Sequence, residues 1–404
     1  MNSFMNITPK FRGFICTTAH PIGCAQNVRQ YADYARSHST GTGPKRVLVV
    51  GASAGYGLAS RIAAAFGYGA ATVGVSFDRP GGRGRTGSAG WYNNRAFEQY
   101  ATQAGLPCRT VNGDGFSREV KEETIAAIRD VIPGGQVDLV VYSMAAPKRT
   151  DQDTNQTWSS VLKPLGQFFR GKTVDFHTGN VFETEIAPAE QEEAEGTIRV
   201  MGGEDWLLWM EELQKAGVLA DNAAAMAYTY IGPELTHAIY RDGTIGAAKA
   251  DLEQKARMIT ELLAPTGGHA FVAVLKGLVT QSSSAIPVVP LYISLLFKIM
   301  KEQGIHEGCI EQICRLYSQR LYSEGKETRG WSHVPVDESG RIRLDDWEMR
   351  RSVQEKIADL WETVDSDSIG AVADLEGYRQ DFFQMFGFGV DGVDYNADVP
   401  EKEL

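Results

Sequence analysis

The run KRVLVVGASAGYGLASRIAAA, from Lys45 to Ala65, constrains the fold more than any other stretch. Val47–Val50 is a short apolar segment of mostly β-branched residues, the pattern of a parallel strand buried on both faces. A glycine-rich turn follows at once. Gly51, Gly55 and Gly57 stand as G-x3-G-x-G, and Leu58–Phe66 reads as an alanine-rich helix. At such a strand-to-helix turn the backbone can bend sharply and approach a pyrophosphate, whose charge is favoured by free N–H groups and by the positive helix end. These residues alone leave two readings open: a dinucleotide site over Gly51, Ala52, Ser53, Ala54, Gly55 and Tyr56, or an ordinary turn of an α/β domain. The spacing is not the commoner G-x-G-x-x-G.

The strand-helix rhythm continues. Ala71–Phe77 reads as a second strand with Asp78 at its end, placed to accept hydrogen bonds from an adenosine ribose. Its charge would repel a 2′-phosphate and so favours NADH over NADPH, although Arg79 beside it works the other way; a solvated turn carboxylate is the alternative. A helix over Asn94–Gly105, a strand over Cys108–Val111 ending at Asp114-Gly115, a helix over Arg118–Ile132 and a strand over Val137–Ser143 ending at Met144-Ala145 follow. Repeated units of this kind predict right-handed crossovers and a parallel sheet. Ser53, Asp78, Asp114 and Met144 then all lie just past strand carboxyl ends, where ligands bind in open α/β sheets.

Residues 148–200 break the rhythm with polar and acidic runs such as Glu190–Glu195 and read as an insertion. A helix over Glu204–Lys215 leads to a fifth strand, Ala225–Ile231, on which Tyr228 and Tyr230 share a face. One more strand, Ala270–Lys276, delivers Leu278, Val279 and Thr280 to the same sheet edge. The remainder reads as helices over Leu291–Glu302, Glu307–Tyr322, Leu344–Val364 and Tyr378–Phe386. The expected architecture is a single α/β domain, a Rossmann-like doubly wound parallel sheet with extra helices forming a substrate cap. Its parts are a lead-in over 1–44, a core over 45–280 and a mainly helical segment over 281–404.

Composition excludes several classes. A net charge of −11 disfavours nonspecific binding to nucleic acid or an anionic membrane, which needs clustered Lys and Arg. Five cysteines form no C-x-x-C pair and are odd in number, which points to reduced thiols of a cytoplasmic protein rather than a disulfide frame or zinc site. The histidines show no metal-ligand spacing, so no metal is expected. The apolar stretch Phe14–Cys16 is too short for a signal-peptide core, and Ile286–Phe297 falls short of the ~20 residues of a membrane span.

The second informative stretch is GPELTHAIYRDGTIGAAKADL, Gly232–Leu252. On one continuous helix, Tyr240 and Lys249 would point to opposite faces roughly 13 Å apart along the axis. Gly243 and Gly246 lie between them, so Tyr240 can precede a new helix whose first turns carry Lys249, and the two side chains can converge. A phenol and an ammonium suit reduction of a polarised double bond. Hydride arriving at a carbonyl, or at the β-carbon of an enoyl thioester, leaves charge on oxygen, which a phenolic O–H can hydrogen-bond or protonate. A lysine can hold ribose hydroxyls and pyrophosphate charge. A carbonyl reductase and a noncatalytic NAD(H)-sensing module both remain compatible with these residues.

Over nearly its whole length the chain resembles the FabV-type trans-2-enoyl reductases, which include trans-2-enoyl-CoA reductases. The resemblance rests on TTAHPIGC at Thr17–Cys24, GASAGYGLASRIAAAFGYGAAT at Gly51–Thr72, GWYNN at Gly90–Asn94, VMGGEDW at Val200–Trp206, YIGPE at Tyr230–Glu234, HEGCIEQ at His306–Gln312, and the Tyr-x8-Lys signature at Tyr240 and Lys249. It implies hydride transfer from NADH to the β-carbon of an enoyl-CoA or enoyl-acyl carrier protein, with Tyr240 stabilising or protonating the enolate and Tyr230 contacting substrate. It also implies NADH contacts by Gly51–Tyr56, Phe77, Asp78, Asp114, Gly115, Met144, Ala145, Lys249 and Leu278–Thr280. A monomer without a membrane span is expected.

Overall fold

The structure, a computed structural model, describes residues 4–12, 15–82, 84–152, 154–281, 283–323 and 330–400. The apolar β-branched runs become strands β1 (Arg46–Val50), β2 (Ala71–Ser76), β3 (Cys108–Asn112) and β4 (Val137–Tyr142). A separate antiparallel hairpin, β5 (Phe169–Asp175) and β6 (Asn180–Ile186), comes next, followed by β7 (Leu219–Thr229), β8 (His269–Val274) and β9 (Arg341–Arg343). Seven of these form one sheet in the order β9-β8-β7-β4-β1-β2-β3, with every neighbouring pair parallel. The chain winds from β1 out to β3, then crosses back to β4 on the other side of β1. That reversal between β1 and β4 is a topological switch point, where a crevice opens at the strand ends.

The longer helices are α1 (Pro21–His38), α2 (Gly55–Ile62), α3 (Ala89–Gln103), α4 (Arg118–Val131), α5 (Gln191–Met201), α6 (Glu204–Lys215), α7 (Thr244–Leu263), α8 (Val289–Glu302), α9 (Cys309–Arg315), α10 (Arg351–Thr363) and α11 (Leu375–Gln384). Strand alternation sends successive side chains to opposite faces. Val47, Val49, Leu139 and Val141 therefore join a core with α1, α2, α3, α8 and α9, while Leu48, Val50, Val140 and Tyr142 join a second core with α4, α6 and α7. Among the described residues, no helix is long and apolar enough to cross a membrane.

One buried side chain ties the β3 edge together. Arg61 of α2 is fully buried, and its guanidinium donates to Thr110 Oγ1 (2.8 Å), Arg109 O (2.8 Å), Asn94 Oδ1 (3.3 Å) and Thr72 Oγ1 (3.3 Å) while lying over the Phe97 ring. Burial lowers its proton affinity to about 10, so it stays cationic at neutral pH.

Several elements differ from the sequence-based expectation. The lead-in contains α1, whose apolar stripe is built largely from small residues, Cys24, Val28, Ala32 and Ala35, and gives a weak periodic signal. The insertion folds into the β5/β6 hairpin and the pair Lys148–Thr150 with Thr157–Ser159 before α5 begins. β7 starts six residues earlier than expected, because polar Asp221 and Asn222 sit in an irregularity of the ladder between Leu219 and Ala224. Residues 344–350, expected as helix, instead leave β9 as a non-helical segment that turns Asp345 and Glu348 inward.

Candidate active site

Strand pairing aligns six carboxyl ends at one sheet edge. Val50 pairs with Val75 and Tyr142, Ser76 with Asn112, Tyr142 with Ala227, and Thr229 with Val274. The glycine turn leaves this edge at the switch point. The Gly51 and Ala52 amides donate to Val75 O (3.0 and 2.9 Å), and the Ser143 amide next to Met144 donates to Val50 O (2.8 Å). Gly57 allows the turn to close: a Cβ there would stand 1.9 Å from Gly51 O. Gly55 opens α2 at φ +53° with open space where a Cβ would be, and the Ala54 N-cap supplies no side-chain acceptor. The first turn of α2 thus has no side-chain cap, which leaves its amides available to an anion. The Asn93 amide holds the turn from behind by donating to Ser53 O (3.0 Å).

Asp78 stands where the second strand ends. The Ser88 hydroxyl donates to its Oδ1 (2.8 Å), the Asp78 amide donates to Asn112 Oδ1 (2.8 Å), and Oδ2 is buried with no hydrogen-bond partner among the described residues. A buried carboxylate oxygen without a donor is costly unless a ligand hydroxyl reaches it. Phe77 beside it is 79% exposed, an aromatic face open to a flat ring. The Asp114-Gly115 turn is braced by Trp209 Nε1 and Lys121 Nζ, both donating to Gly115 O (3.0 and 3.1 Å), and Lys121 is in turn held by buried Asp205 (2.8 Å). Met144 and Ala145 leave β4 beside the glycine turn, and Leu278, Val279 and Thr280 follow β8, the Thr280 amide donating to Ser283 Oγ (2.8 Å). The turn, the unpartnered Asp78 oxygen and this aligned edge fit a nicotinamide dinucleotide.

The tyrosine-lysine segment folds as its glycines suggest. Tyr240 lies in the turn before α7, where the Gly246 amide donates to Tyr240 O (3.0 Å), and Lys249 lies in the early turns of α7. Lys249 Nζ donates to Tyr228 O (3.4 Å) at the end of β7. The strand ends at Thr229, two residues short of the expected Ile231, and the next residue, Tyr230, meets the Tyr240 ring edge to face. The phenol and the ammonium therefore both converge on the carboxyl end of β7. The Tyr240 hydroxyl makes no hydrogen bond to any described residue, and burial raises its pKa, keeping it protonated. Desolvation lowers the Lys249 ammonium to about 8.

Three residues not singled out from the sequence, Lys276, Gln312 and Glu348, pack around the expected ones. Tyr56 donates to Lys276 O (3.0 Å) and accepts from Gln312 Nε2 (2.7 Å), while Gln312 Oε1 accepts from the Lys276 amide (2.9 Å). Gln312 thereby clamps the glycine turn to the loop after β8. Glu348 is fully buried behind Tyr230 and accepts its hydroxyl (2.9 Å); burial raises its carboxyl, opposed by the donors around it and the charge of Lys276. Gln312 lies within HEGCIEQ, but the partners of Lys276 and Glu348 are distant in sequence, and no local pattern marks them.

Comparison with known proteins agrees with this geometry. Residues 85–322 match the family model of the trans-2-enoyl-CoA reductase catalytic region, residues 6–83 that of the NAD(P)H binding domain of trans-2-enoyl-CoA reductase, and residues 336–399 that of an enoyl reductase FAD binding domain. An NADH-dependent enoyl-acyl-carrier-protein reductase of Flavobacterium johnsoniae is 57% identical over 397 residues, covering 98% of each chain. Crystal structures of trans-2-enoyl-CoA reductases from Treponema denticola with NAD and Clostridium acetobutulicum with NADH superimpose with TM-scores of 0.92 and 0.93, at 48% and 42% identity and 98% coverage of each chain. The residues of the FAD-named segment do not fit a flavin dinucleotide. β9 runs into Asp345, Asp346 and Glu348 with no glycine turn or helix start, and Val353, Ile357, Tyr378 and Phe382 fill the space with core. Sequence and structure agree over the full length, and the chain belongs to the trans-2-enoyl-CoA reductase family.

Proposed function

We propose that the protein reduces the trans-2 C=C bond of enoyl thioesters to the saturated acyl thioester with NADH, as in fatty acid synthesis. One observation carries the proposal: a protonated phenol, Tyr240, without a hydrogen-bond partner among the described residues, faces the end of the strand on which Lys249 converges, at the edge that bears the glycine turn. Bound NADH supplies the hydride, which the β-carbon of the substrate accepts.

The chain's own groups divide the remaining work. Gly51, Ala52, Ser53, Ala54, Gly55 and Tyr56 receive the pyrophosphate, Asp78 the adenosine ribose, and Phe77 the adenine. Asp114, Gly115, Met144, Ala145, Leu278, Val279 and Thr280 line the cofactor along the strand ends, and Lys249 binds its ribose and charge. Charge developing on the thioester oxygen is met by the Tyr240 hydroxyl, which donates a hydrogen bond or its proton; such an interaction strengthens as the charge appears and so lowers the barrier. Tyr230 contacts the acyl thioester. We place the acyl-chain cap on the helical segment that carries α8, whose own apolar residues are packed in the core.

These groups need no contribution from a second copy, and the proposed unit of function is a monomer acting as a single domain over 1–404. All five cysteines are free and four are buried, which supports a reducing, cytoplasmic setting. The relatives named above differ in carrier, acyl carrier protein in one case and CoA in the other two. Crotonyl-CoA, a longer enoyl-CoA and the same acyl groups on acyl carrier protein, each followed by loss of NADH absorbance, test the reading. Reduction of simple ketones with no thioester turnover would replace it with a carbonyl reductase.

A further inference from the structure

We infer that Glu348 is a positioning residue of this reaction, holding the tyrosine pair and the loop Leu278–Thr280 in register from behind. The inference rests on the enoyl reductase reading above, in which Tyr240 is the acid. Glu348 comes from the non-helical segment between β9 and α10, and its side chain is 0% exposed. Its Oε1 accepts from Tyr230 Oη (2.9 Å) and Tyr292 Oη (2.6 Å), and its Oε2 accepts from the Gly277 amide (2.7 Å). Three donors thus arrive from three separate elements: the end of β7, helix α8, and the loop leaving β8.

The carboxylate is itself fixed. Gln354 Nε2 donates to Glu348 O (2.7 Å) and to Tyr292 Oη (3.1 Å), so backbone and partner move together. The loop lies so close that a Cβ at Gly277 would stand 3.2 Å from Tyr230 Oη and 3.5 Å from Glu348 Oε1. Tyr240 has no hydroxyl anchor among the described residues, so the edge-to-face contact with Tyr230 orients its ring, and Glu348 anchors Tyr230. The other carboxylate oxygen holds the amide one residue before Leu278. A single buried acid therefore sets both the proton donor and the cofactor loop, and a misplacement of about 1 Å at such a centre costs up to about 100-fold in rate.

Glutamine at 348 keeps the shape but offers one acceptor oxygen and one amino group, so either the phenol pair or the Gly277 amide must face a donor. The test is a double-mutant cycle of Glu348→Gln and Tyr230→Phe, with wild-type turnover of crotonyl-CoA measured first. A wild-type protein that reduces no enoyl thioester sinks the functional reading itself. With an active wild type, E348Q is expected to lower kcat about 10- to 100-fold and to raise the NADH KM, while Y230F lowers kcat and leaves the NADH KM within about twofold. The double variant is expected to lose at most about twofold more kcat than the worse single variant, because both remove the same tether. Losses that multiply, or a folded E348Q with kcat within about threefold of wild type, overturn the inference. Should E348Q fail to fold by circular dichroism, Tyr292→Phe decides alone, since it removes a donor to Glu348 Oε1 from a fully buried ring assigned no substrate contact: a lowered kcat supports the tether, and wild-type kcat overturns it.

Discussion

The rings of Tyr230 and Tyr240 meet edge to face, with centroids 5.1 Å apart and planes at 78°. Such pairs contribute roughly 0.5–1.5 kcal/mol beyond their buried area, enough to hold an otherwise unanchored phenol in one orientation. The contact joins the two ends of a segment in which β7 stops, a short helix over Glu234–His237 reverses the chain, and α7 begins. Tyr240 owes its place to that reversal.

The first prediction concerns Tyr240 directly. Tyr240→Phe keeps the ring contact and removes the hydroxyl, so kcat for crotonyl-CoA is expected to fall at least ~100-fold, the scale of a general acid. NADH affinity, measured by fluorescence titration, is expected to stay close to wild type. Wild-type turnover in this variant would remove Tyr240 from the reaction.

Lys249 makes a prediction about pH. Its ammonium titrates near 8, so the charge is present below that pH and lost above it. Binding an anionic dinucleotide favours the charged form, so NADH affinity is expected to decline as pH rises through 8, by at most about tenfold per pH unit. Lys276 titrates in the same range, which makes a variant the necessary control. Lys249→Met is expected to bind NADH weakly and with a flat profile; an unchanged slope in that variant would assign the titration elsewhere.

Asp78 is expected to govern the choice between cofactors. Its unpartnered Oδ2 suits a ribose 2′-hydroxyl and opposes a 2′-phosphate. The kcat/KM with NADH is expected to exceed that with NADPH by at least ~10-fold, since a like-charge contact costs several kcal/mol before relaxation. Asp78→Asn is expected to narrow the ratio. Equal rates with both cofactors in the wild type would refute the role.

Gly57 is the position where the turn tolerates least. The Cβ of Gly57→Ala would press on Gly51 O, a backbone atom that cannot swing aside. The NADH dissociation constant is expected to rise by at least ~10-fold, with a lower melting temperature; overpacking costs roughly 1–3 kcal/mol. A variant with wild-type NADH affinity would show that the turn relaxes without harm.

The parts of this structure that could be read from sequence are those encoded locally. The apolar runs of β1, β2, β4 and β8, the glycines after Val50, and the helix break between Tyr240 and Lys249 each carry their signal within a few residues. The parts that could not are built from distant partners. β9 is a three-residue edge strand flanked by arginines, and α1 buries small side chains. Residues 344–350 pattern like a helix, yet leave it because Glu348 gains three buried donors and Asp345 gains Arg343. Burial of that kind overrides local propensity.

Arg61 has a consequence far from its own surroundings. β3 has only β2 beside it in the sheet, so the guanidinium acts as a rivet through an edge that would otherwise hang on one ladder. The Asp78 amide rests on Asn112 of that same outer strand. Loosening the rivet would register as blurred cofactor discrimination, although the arginine itself meets no ligand.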